Sequence, residues 1–209
     1  LNAMNYPIEF DGTREVHGIF GGATFSYKDY LTLDATLRRD RSSTLPEGNN
    51  VYYYPSVSGG FVFSRLMPNA KWLSYGKLLA NYAEVGNDAP LFSVNDVYAG
   101  LAPFGSNPQT SVTGTKNNPD LKPERTRSME FGAEFSMLDE RLGFDVTYYN
   151  TETVNQIIPV VLSTSTGYNS KFLNAGTIEN KGWEVSLSGK PVQTQNFSWN
   201  VNINYSRNR

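Results

Sequence analysis

Few residues of this 209-residue chain have the types and spacing that covalent chemistry requires. The chain contains no cysteine and one histidine, His17, so it offers neither a thiolate nucleophile nor a multi-histidine metal site. A serine–histidine–acid triad would have to use His17, and the G-x-S-x-G elbow that presents many nucleophilic serines is absent. We therefore expect no catalytic residue and no enzyme.

Acidic residues occur in two arrangements that could in principle act on or bind a ligand. Adjacent Asp139 and Glu140 are a carboxylate pair of the kind that hydrolyses glycosides, but they lie in a short polar break that is typical of a solvated turn. Asp88, Asn95, Asp96 and Asp120 offer the oxygen ligands that calcium prefers, yet their spacing matches no EF-hand loop. The sequence therefore predicts no metal site and no cofactor.

Aromatic side chains in loop segments are the best candidates for ligand binding. Aromatic residues make up 13% of the chain. Loops that a rigid scaffold positions commonly carry binding residues, and aromatic rings line many ligand sites. Packing of such rings against neighbouring loops is the common alternative. The candidates for ligand contact are Tyr52, Tyr53, Tyr98, Phe104 and Tyr168.

Strands must position these residues, because apolar and polar residues alternate along much of the chain. Met129, Phe131 and Phe135 alternate with polar or small residues, and a second alternating run follows the polar break at 139–141. Period-two alternation places successive side chains on opposite faces of a strand. Two such runs predict an antiparallel hairpin. Each run exceeds the about 5–6 residues of an ordinary strand and reaches the about 9–11 that a membrane-spanning strand needs.

About eight strands of this kind are predicted, and short turns alternate with long loops between them. The longest irregular segments are 86–125 and 154–181, and we expect the apolar run 157–162 to extend the sixth strand. An antiparallel up-and-down transmembrane β-barrel has this pattern, with short periplasmic turns and long extracellular loops. The predicted strands lie near residues 16–25, 30–39, 52–63, 75–85, 126–137, 142–153, 182–189 and 197–206.

The register of the last predicted strand illustrates how the two faces would be used. Trp199, Val201 and Ile203 would face hydrocarbon, while the asparagines between them would face an aqueous lumen. The reverse register would place amides in lipid, where groups without hydrogen-bond partners are costly. The same logic places five charged residues on the lumen side: Asp34, Arg38, Glu130, Glu134 and Asp145.

Several segments together resemble the SusC/RagA family of TonB-dependent outer-membrane transporters. The resemblance includes the segment NPDLKPE at 118–124 and spans nearly the whole chain, which makes the ordered set more specific than any single motif. The matching segments lie at residues 25–31, 37–43, 81–88, 117–124, 145–150 and 174–184.

The resemblance implies a multi-pass β-barrel in the bacterial outer membrane, with about twenty-two strands around an N-terminal plug. It also implies active import of large nutrients, oligosaccharides or peptides, with energy from the TonB complex acting through the plug and with a SusD-like surface lipoprotein as lid. Residues 1–209 are expected to be part of the barrel, truncated at both ends and without the plug. The net charge of −2 and the absence of a basic run argue against nucleic acid as a partner, whereas lipid is an expected one.

A soluble carbohydrate-binding β-sandwich is the alternative interpretation. It would account for the aromatic loops and the number of strands, but not for the alternation of loop lengths. The two folds differ in where the apolar faces lie, because a sandwich buries them against a second sheet.

Overall fold

The computed structural model of the chain describes residues 11–209, and strands make up most of this part. Two 3-10 turns, Phe63–Leu66 and Thr164–Thr166, are its helical segments. No helix within these residues is long and apolar enough to cross a bilayer, a finding that concerns helical spans only. The strands are β1 (Val16–Tyr27), β2 (Leu31–Ser42), β3 (Val51–Phe61), β4 (Leu73–Asn87), β5 (Tyr98–Phe104), β6 (Asn107–Val112), β7 (Thr115–Lys116), β8 (Glu124–Met137), β9 (Leu142–Val154), β10 (Ile157–Val161), β11 (Ser170–Asn174), β12 (Thr177–Gln193) and β13 (Ser198–Asn208).

Eight long strands form one sheet in the order β1-β2-β3-β4-β8-β9-β12-β13, and each pairs antiparallel with the next. This up-and-down order confirms the predicted fold class and the eight predicted strands. β12 begins at Thr177, earlier than the expected start at Gly182, because its first residues continue the pairing with the end of β9. Within residues 11–209, β1 and β13 each have one neighbour and form the two edges of the sheet.

The irregular segments contain more strand than expected, and one prediction about them is wrong. The apolar run that starts at Ile157 does not extend β9. It forms β10, which pairs with β11 in a separate small sheet that β7 completes. Asn155 has a φ of 57°, so the chain turns away from β9 through a left-handed residue before β10 begins. The segment 86–125 likewise contains the β5–β6 hairpin.

Strand pairing places the apolar and polar side chains of the main sheet on opposite faces. Phe131 lies opposite Tyr148 and Ala133 opposite Val146, while Glu134 lies opposite Asp145 on the other face. Residues directly opposite each other share a face, so the register predicted from alternation is confirmed. The apolar face includes Phe25, Leu33, Leu37, Val57, Leu78, Phe131, Phe135, Phe144, Val146, Trp183, Leu187, Val201 and Ile203.

The apolar face packs against no second sheet in the part of the chain that the structure describes. Phe131, Trp199 and Ile203 are 55%, 54% and 56% exposed, and the buried hydrophobic residues lie elsewhere. The accessible surface is 15029 Å². A compact monomer of this mass would expose about 9,700 Å². The sandwich alternative is therefore wrong, since its defining core is missing.

Two connections at one end of the sheet are tight turns with left-handed residues. In the β1–β2 turn, Lys28 and Asp29 have φ values of 48° and 56°, and Tyr30 N–H donates to the carbonyl of Tyr27 at 3.2 Å. Two successive positive φ values define the type I′ turn that matches the twist of a hairpin. Asp139 and Glu140 lie in the β8–β9 turn with φ values of 54° and 63°, and both are exposed.

The β1–β2 turn predicts a stabilising double substitution. Lys28→Asn with Asp29→Gly installs the residues that a type I′ turn favours, so we expect the free energy of unfolding to rise by about 1 kcal/mol. Urea unfolding in detergent measures the change. Asp34→Gly is the control, because it places glycine inside β2, where the change should destabilise; an equal rise in both variants would contradict the turn assignment.

Candidate functional site

The two longest connections leave the same end of the main sheet. Residues 43–50, 88–123 and 155–176 join β2 to β3, β4 to β8 and β9 to β12 at this end, whereas the opposite end has the connections 28–30, 62–72, 138–141 and 194–197. Consecutive antiparallel pairing requires this separation, because alternate connections fall at opposite ends. We call the three long connections together the loop layer.

The loop layer contains the main hydrophobic cluster in residues 11–209. Leu121 is fully buried, and Leu45, Ala89 and Tyr52 are 5%, 3% and 6% exposed. Each long connection contributes apolar atoms, since half-buried Ile157 and Phe172 pack against the same cluster. The loops are thus packed on one another and on the start of β3.

The segment 118–124 holds the loop layer together through its backbone. The Asn118 side chain accepts a hydrogen bond from Asp120 N–H at 3.0 Å, and Asn118 N–H donates to the carbonyl of Ser93 at 2.9 Å. The first bond closes a local turn just before buried Leu121, and the second ties the segment to an earlier part of the same connection. Asn49 in the first long connection donates its side-chain amide to the carbonyl of Leu121 at 3.1 Å.

Two further side chains connect this segment to the third long connection. Asn174 accepts a hydrogen bond from Lys122 N–H at 2.8 Å and donates to the carbonyls of Lys122 and Asn155 at 2.7 and 2.9 Å. The Glu124 carboxylate accepts a hydrogen bond from Ile157 N–H at 2.8 Å. Segment 118–124, at the end of the second long connection, is therefore hydrogen-bonded to both the first and the third.

Two of the acidic residues that suggested calcium, Asp88 and Asp96, have structural partners instead. Asp88 is buried and accepts two hydrogen bonds from the Arg14 guanidinium, at 2.9 and 2.6 Å, and a third from the hydroxyl of Ser42. Asp96 accepts a hydrogen bond from Asn117 N–H at 3.0 Å. No group of three or more acidic, histidine or cysteine side chains within residues 11–209 is arranged to hold a metal ion.

Tyr52, one of the five predicted ligand contacts, lies inside the hydrophobic cluster. Its ring centre is 5.0 Å from that of Tyr54. The side chain is 6% exposed, so little of it is available to a ligand.

Tyr53 points to the opposite side of the sheet from Tyr52. It pairs with Arg39 and shares the face of Val57, which is the apolar face of the main sheet, and it is 50% exposed. The alternation of side chains along β3 thus separates two neighbouring tyrosines that we had predicted to act in the same role.

Of the remaining three candidates, two lie in the β5–β6 hairpin of the loop layer and one precedes β11. Tyr98 and Phe104 begin and end β5, the first strand of a hairpin whose strands pair only with each other, and they are 73% and 76% exposed. Tyr168 is half-buried beside β11, with the Lys116 ammonium 5.3 Å from its ring centre. The five candidates therefore form no single cluster, and ligand contact at each stays a prediction.

The five predicted lumen residues do share the polar face. Glu130 accepts a hydrogen bond from the side chain of Asn81 at 2.8 Å, and Asp34 accepts one from Thr24 at 2.6 Å. A depression of about 420 Å³ on this face is lined by Asp34, Asn81, Glu130 and Lys77. This arrangement presents polar groups of both charges and can bind polar surfaces by hydrogen bonding.

Sequence reasoning missed the residues that organise the loop layer. Asn49, Asn174 and Arg14 act through bonds to residues 72, 52 and 74 positions away, and no local pattern marks such partners. The β5–β6 hairpin was also missed, although Gly105 between its strands, with a φ of 65°, is a recognisable turn signal.

Comparison with known proteins shows similarity along nearly the whole chain. The model of the family described as "TonB dependent receptor-like, beta-barrel" matches residues 3–209. TonB-dependent receptor P26 of Formosa agariphila is 32% identical over 200 residues, which are 93% of this chain and 20% of that protein. SusC of Bacteroides thetaiotaomicron is 28% identical over 200 residues, 90% of this chain and 20% of SusC.

The fold is also similar to that of solved structures over nearly the whole chain. A chain of the RagAB peptide importer in its closed-closed state has a TM-score of 0.84 and 24% identity, over 93% of this chain and 22% of that one. The chain thus spans about a fifth of the length of P26, SusC and the RagAB chain.

The packing of Leu121 predicts a large effect of its truncation. Leu121→Ala removes a fully buried side chain at the point where the connections meet, and we expect a loss of about 2–5 kcal/mol in the stability of the loop layer. Hydrogen exchange of the Ile157 and Asn174 amides measures it. Leu101→Ala, which truncates a half-exposed leucine of β5, should change exchange little; unaltered exchange in Leu121→Ala would contradict the assigned core.

Proposed function

The chain belongs to the TonB-dependent receptor-like β-barrel family, and from that premise we propose that it forms part of the wall and mouth of an active nutrient importer. Proteins of this family are β-barrels of the bacterial outer membrane, so the main sheet lies in that membrane. The family consists of receptors and transporters, and the proposed role of this chain involves no covalent chemistry.

The observation that supports this proposal most is the unpacked apolar face of the main sheet. Eight strands present apolar side chains to the same side, and no other part of residues 11–209 covers them. Such a face is stable in contact with lipid hydrocarbon, and the outer surface of a transmembrane barrel makes that contact. We propose that further strands continue from β1 and β13 and close the barrel, because open sheet edges are not tolerated within a bilayer.

We assign the loop layer to the extracellular side. Long connections face outward and short turns face the periplasm in barrels of this kind. The polar face then lines the lumen, where Asp34, Lys77 and Glu130 can bond to a plug. Pulling on that plug by the TonB complex would open the path for the ligand.

The proposed cargo is a nutrient too large for porins, either an oligosaccharide or a peptide. The similarity to RagAB, which is a peptide importer, supports the peptide class, and the exposed aromatic rings suit either class. The similarity to SusC supports a SusD-like surface lipoprotein as partner.

We assign contact with the cargo or the lid to the exposed rings of Tyr98 and Phe104 in the loop layer, and also to the half-buried ring of Tyr168. The β5–β6 hairpin stands on a packed base but is itself unpaired with other strands, so its side chains are available. Tyr52 and Tyr53 are less suited, because the first is buried and the second lies on the apolar face.

Truncation of the hairpin rings tests this assignment in the intact receptor. We expect Tyr98→Ala with Phe104→Ala to weaken binding of a matching oligosaccharide or peptide about thirtyfold, the size of a hot-spot loss. Calorimetric titration of the purified receptor measures the affinity, and co-purification measures retention of the lipoprotein.

The matched control is Phe197→Ala, which removes an exposed ring at the opposite end of the sheet. It should leave both measurements unchanged. If the hairpin variant binds cargo and lipoprotein as well as the unaltered receptor does, the hairpin has no such role. If no oligosaccharide or peptide supports uptake by the unaltered receptor, the importer proposal itself fails.

A further inference from the structure

The apolar face ends in a row of charged residues at the side of the loop layer, and three of its cations are paired with carboxylates. Arg125 and Arg127 approach the Glu84 carboxylate at 3.4 and 3.5 Å. Lys181 contacts Glu179 at 3.0 Å. Along β4, β8 and β12, the boundary between apolar and polar surface therefore carries internally compensated charge.

The same boundary on β2 carries cations without such partners. Arg39 and Arg41 follow Leu37 on the apolar face, and neither side chain makes an ion pair or hydrogen bond with another residue of 11–209. Their cross-strand neighbours on β3 are Tyr53 and Val51, which carry no charge.

The β1 side of these arginines also lacks a carboxylate partner for them. Ile19 lies opposite Arg39 and His17 opposite Arg41. Glu15, which precedes β1, contacts His17 at 3.6 Å rather than either arginine. Two guanidinium groups thus stand together on the outer side of the sheet with unused hydrogen-bond donors.

We propose that Arg39, Arg41 and Tyr53 bind the phosphate of an anionic lipid in the outer leaflet. The inference rests on the proposed membrane orientation, which places these residues where the hydrocarbon ends. It assigns a lipid site on the outside of the barrel wall, separate from the path of the cargo.

The surface below the arginines matches the rest of such a lipid. Leu33, Ala35 and Leu37 share the face of Arg39 and continue toward the opposite end of the sheet. An amphiphile has the same order, with a charged head above apolar chains. Guanidinium groups bind phosphate oxygens through paired N–H donors, and an interfacial tyrosine can add its hydroxyl.

Charge balance favours this occupant over a free anion or water alone. Isolated cations next to hydrocarbon are costly, and a phosphate at the same depth neutralises them. The contrast with Arg38 is informative, because that neighbour points to the polar face and is already paired with Asp40 at 2.8 Å. On β2, the two outward arginines therefore lack a compensating group among residues 11–209, whereas the inward one has its partner. Arg207 of β13, which shares the face of Trp183, makes no ion pair within these residues either.

The experiment uses the intact receptor in an uncharged detergent and counts bound lipid by native mass spectrometry. Dioctanoyl phosphatidylglycerol is the probe, and dioctanoyl phosphatidylcholine is its zwitterionic counterpart. We expect preferential binding of phosphatidylglycerol, weakened about fivefold for each arginine replaced in Arg39→Gln and Arg41→Gln. Arg39→Lys with Arg41→Lys keeps the charge and should retain most of the binding.

Arg38→Gln is the matched control, since it removes the adjacent arginine from the other face and should leave lipid binding unchanged. Equal binding of both lipids, unweakened binding in the double glutamine variant, or an equal loss in Arg38→Gln would overturn the proposal. Displacement of the lipid by equimolar inorganic phosphate would identify a free-anion site and overturn it too. If the glutamine variants do not assemble, the unaltered receptor decides the question. Preferential binding of phosphatidylglycerol then supports the proposal, and equal binding of the two lipids overturns it.

Cargo binding is measured on the same preparations. Loss of lipid binding with cargo binding intact supports a separate lipid site. Normal lipid binding by a receptor that takes up no cargo would refute the importer proposal and leave the lipid site standing.

Discussion

The apolar face of the main sheet must be covered by hydrocarbon, and the rest of the structure depends on that constraint. The strands are long because they must cross a bilayer, and they alternate strictly because a shift of one residue would exchange the two faces. Their backbone groups pair between neighbours, which satisfies hydrogen bonding without water. Side chains such as Phe131 and Ile203 thus owe their stability to lipid rather than to a protein core.

The protein does build a core of its own, but in the loop layer. Leu121 and its neighbours pack where three connections meet, and Asn174 and Glu124 satisfy backbone groups that no strand pairs. The loop layer therefore combines a packed base with an exposed hairpin, β5–β6. Such a base can hold binding residues in place while the hairpin remains accessible to a ligand or a lid.

The strands could be predicted from the sequence because their evidence is local. Alternation along 126–137 and 197–206 identifies both the strand and its two faces, and the polar breaks identify the short turns. The loop layer could not be predicted in the same way. The apolar run at Ile157 carries no sign of whether it continues β9 or pairs elsewhere, and the left-handed Asn155 decides between the two. Likewise, Tyr52 and Tyr53 looked equivalent until the pairing of β3 placed them on opposite sides.

The most direct test of the central claim is a scan of spin labels along β8 in lipid bilayers, made simple by the absence of cysteine from the chain. Labels at 129, 131, 133 and 135 should be accessible to oxygen and protected from a water-soluble nickel reagent. Labels at 130, 132 and 134 should show weaker access to oxygen than their neighbours. The predicted result is that the ratio of oxygen accessibility to nickel-reagent accessibility alternates with a period of two residues along β8. A uniform ratio along β8, or the opposite phase, would contradict the assignment of the apolar face to lipid.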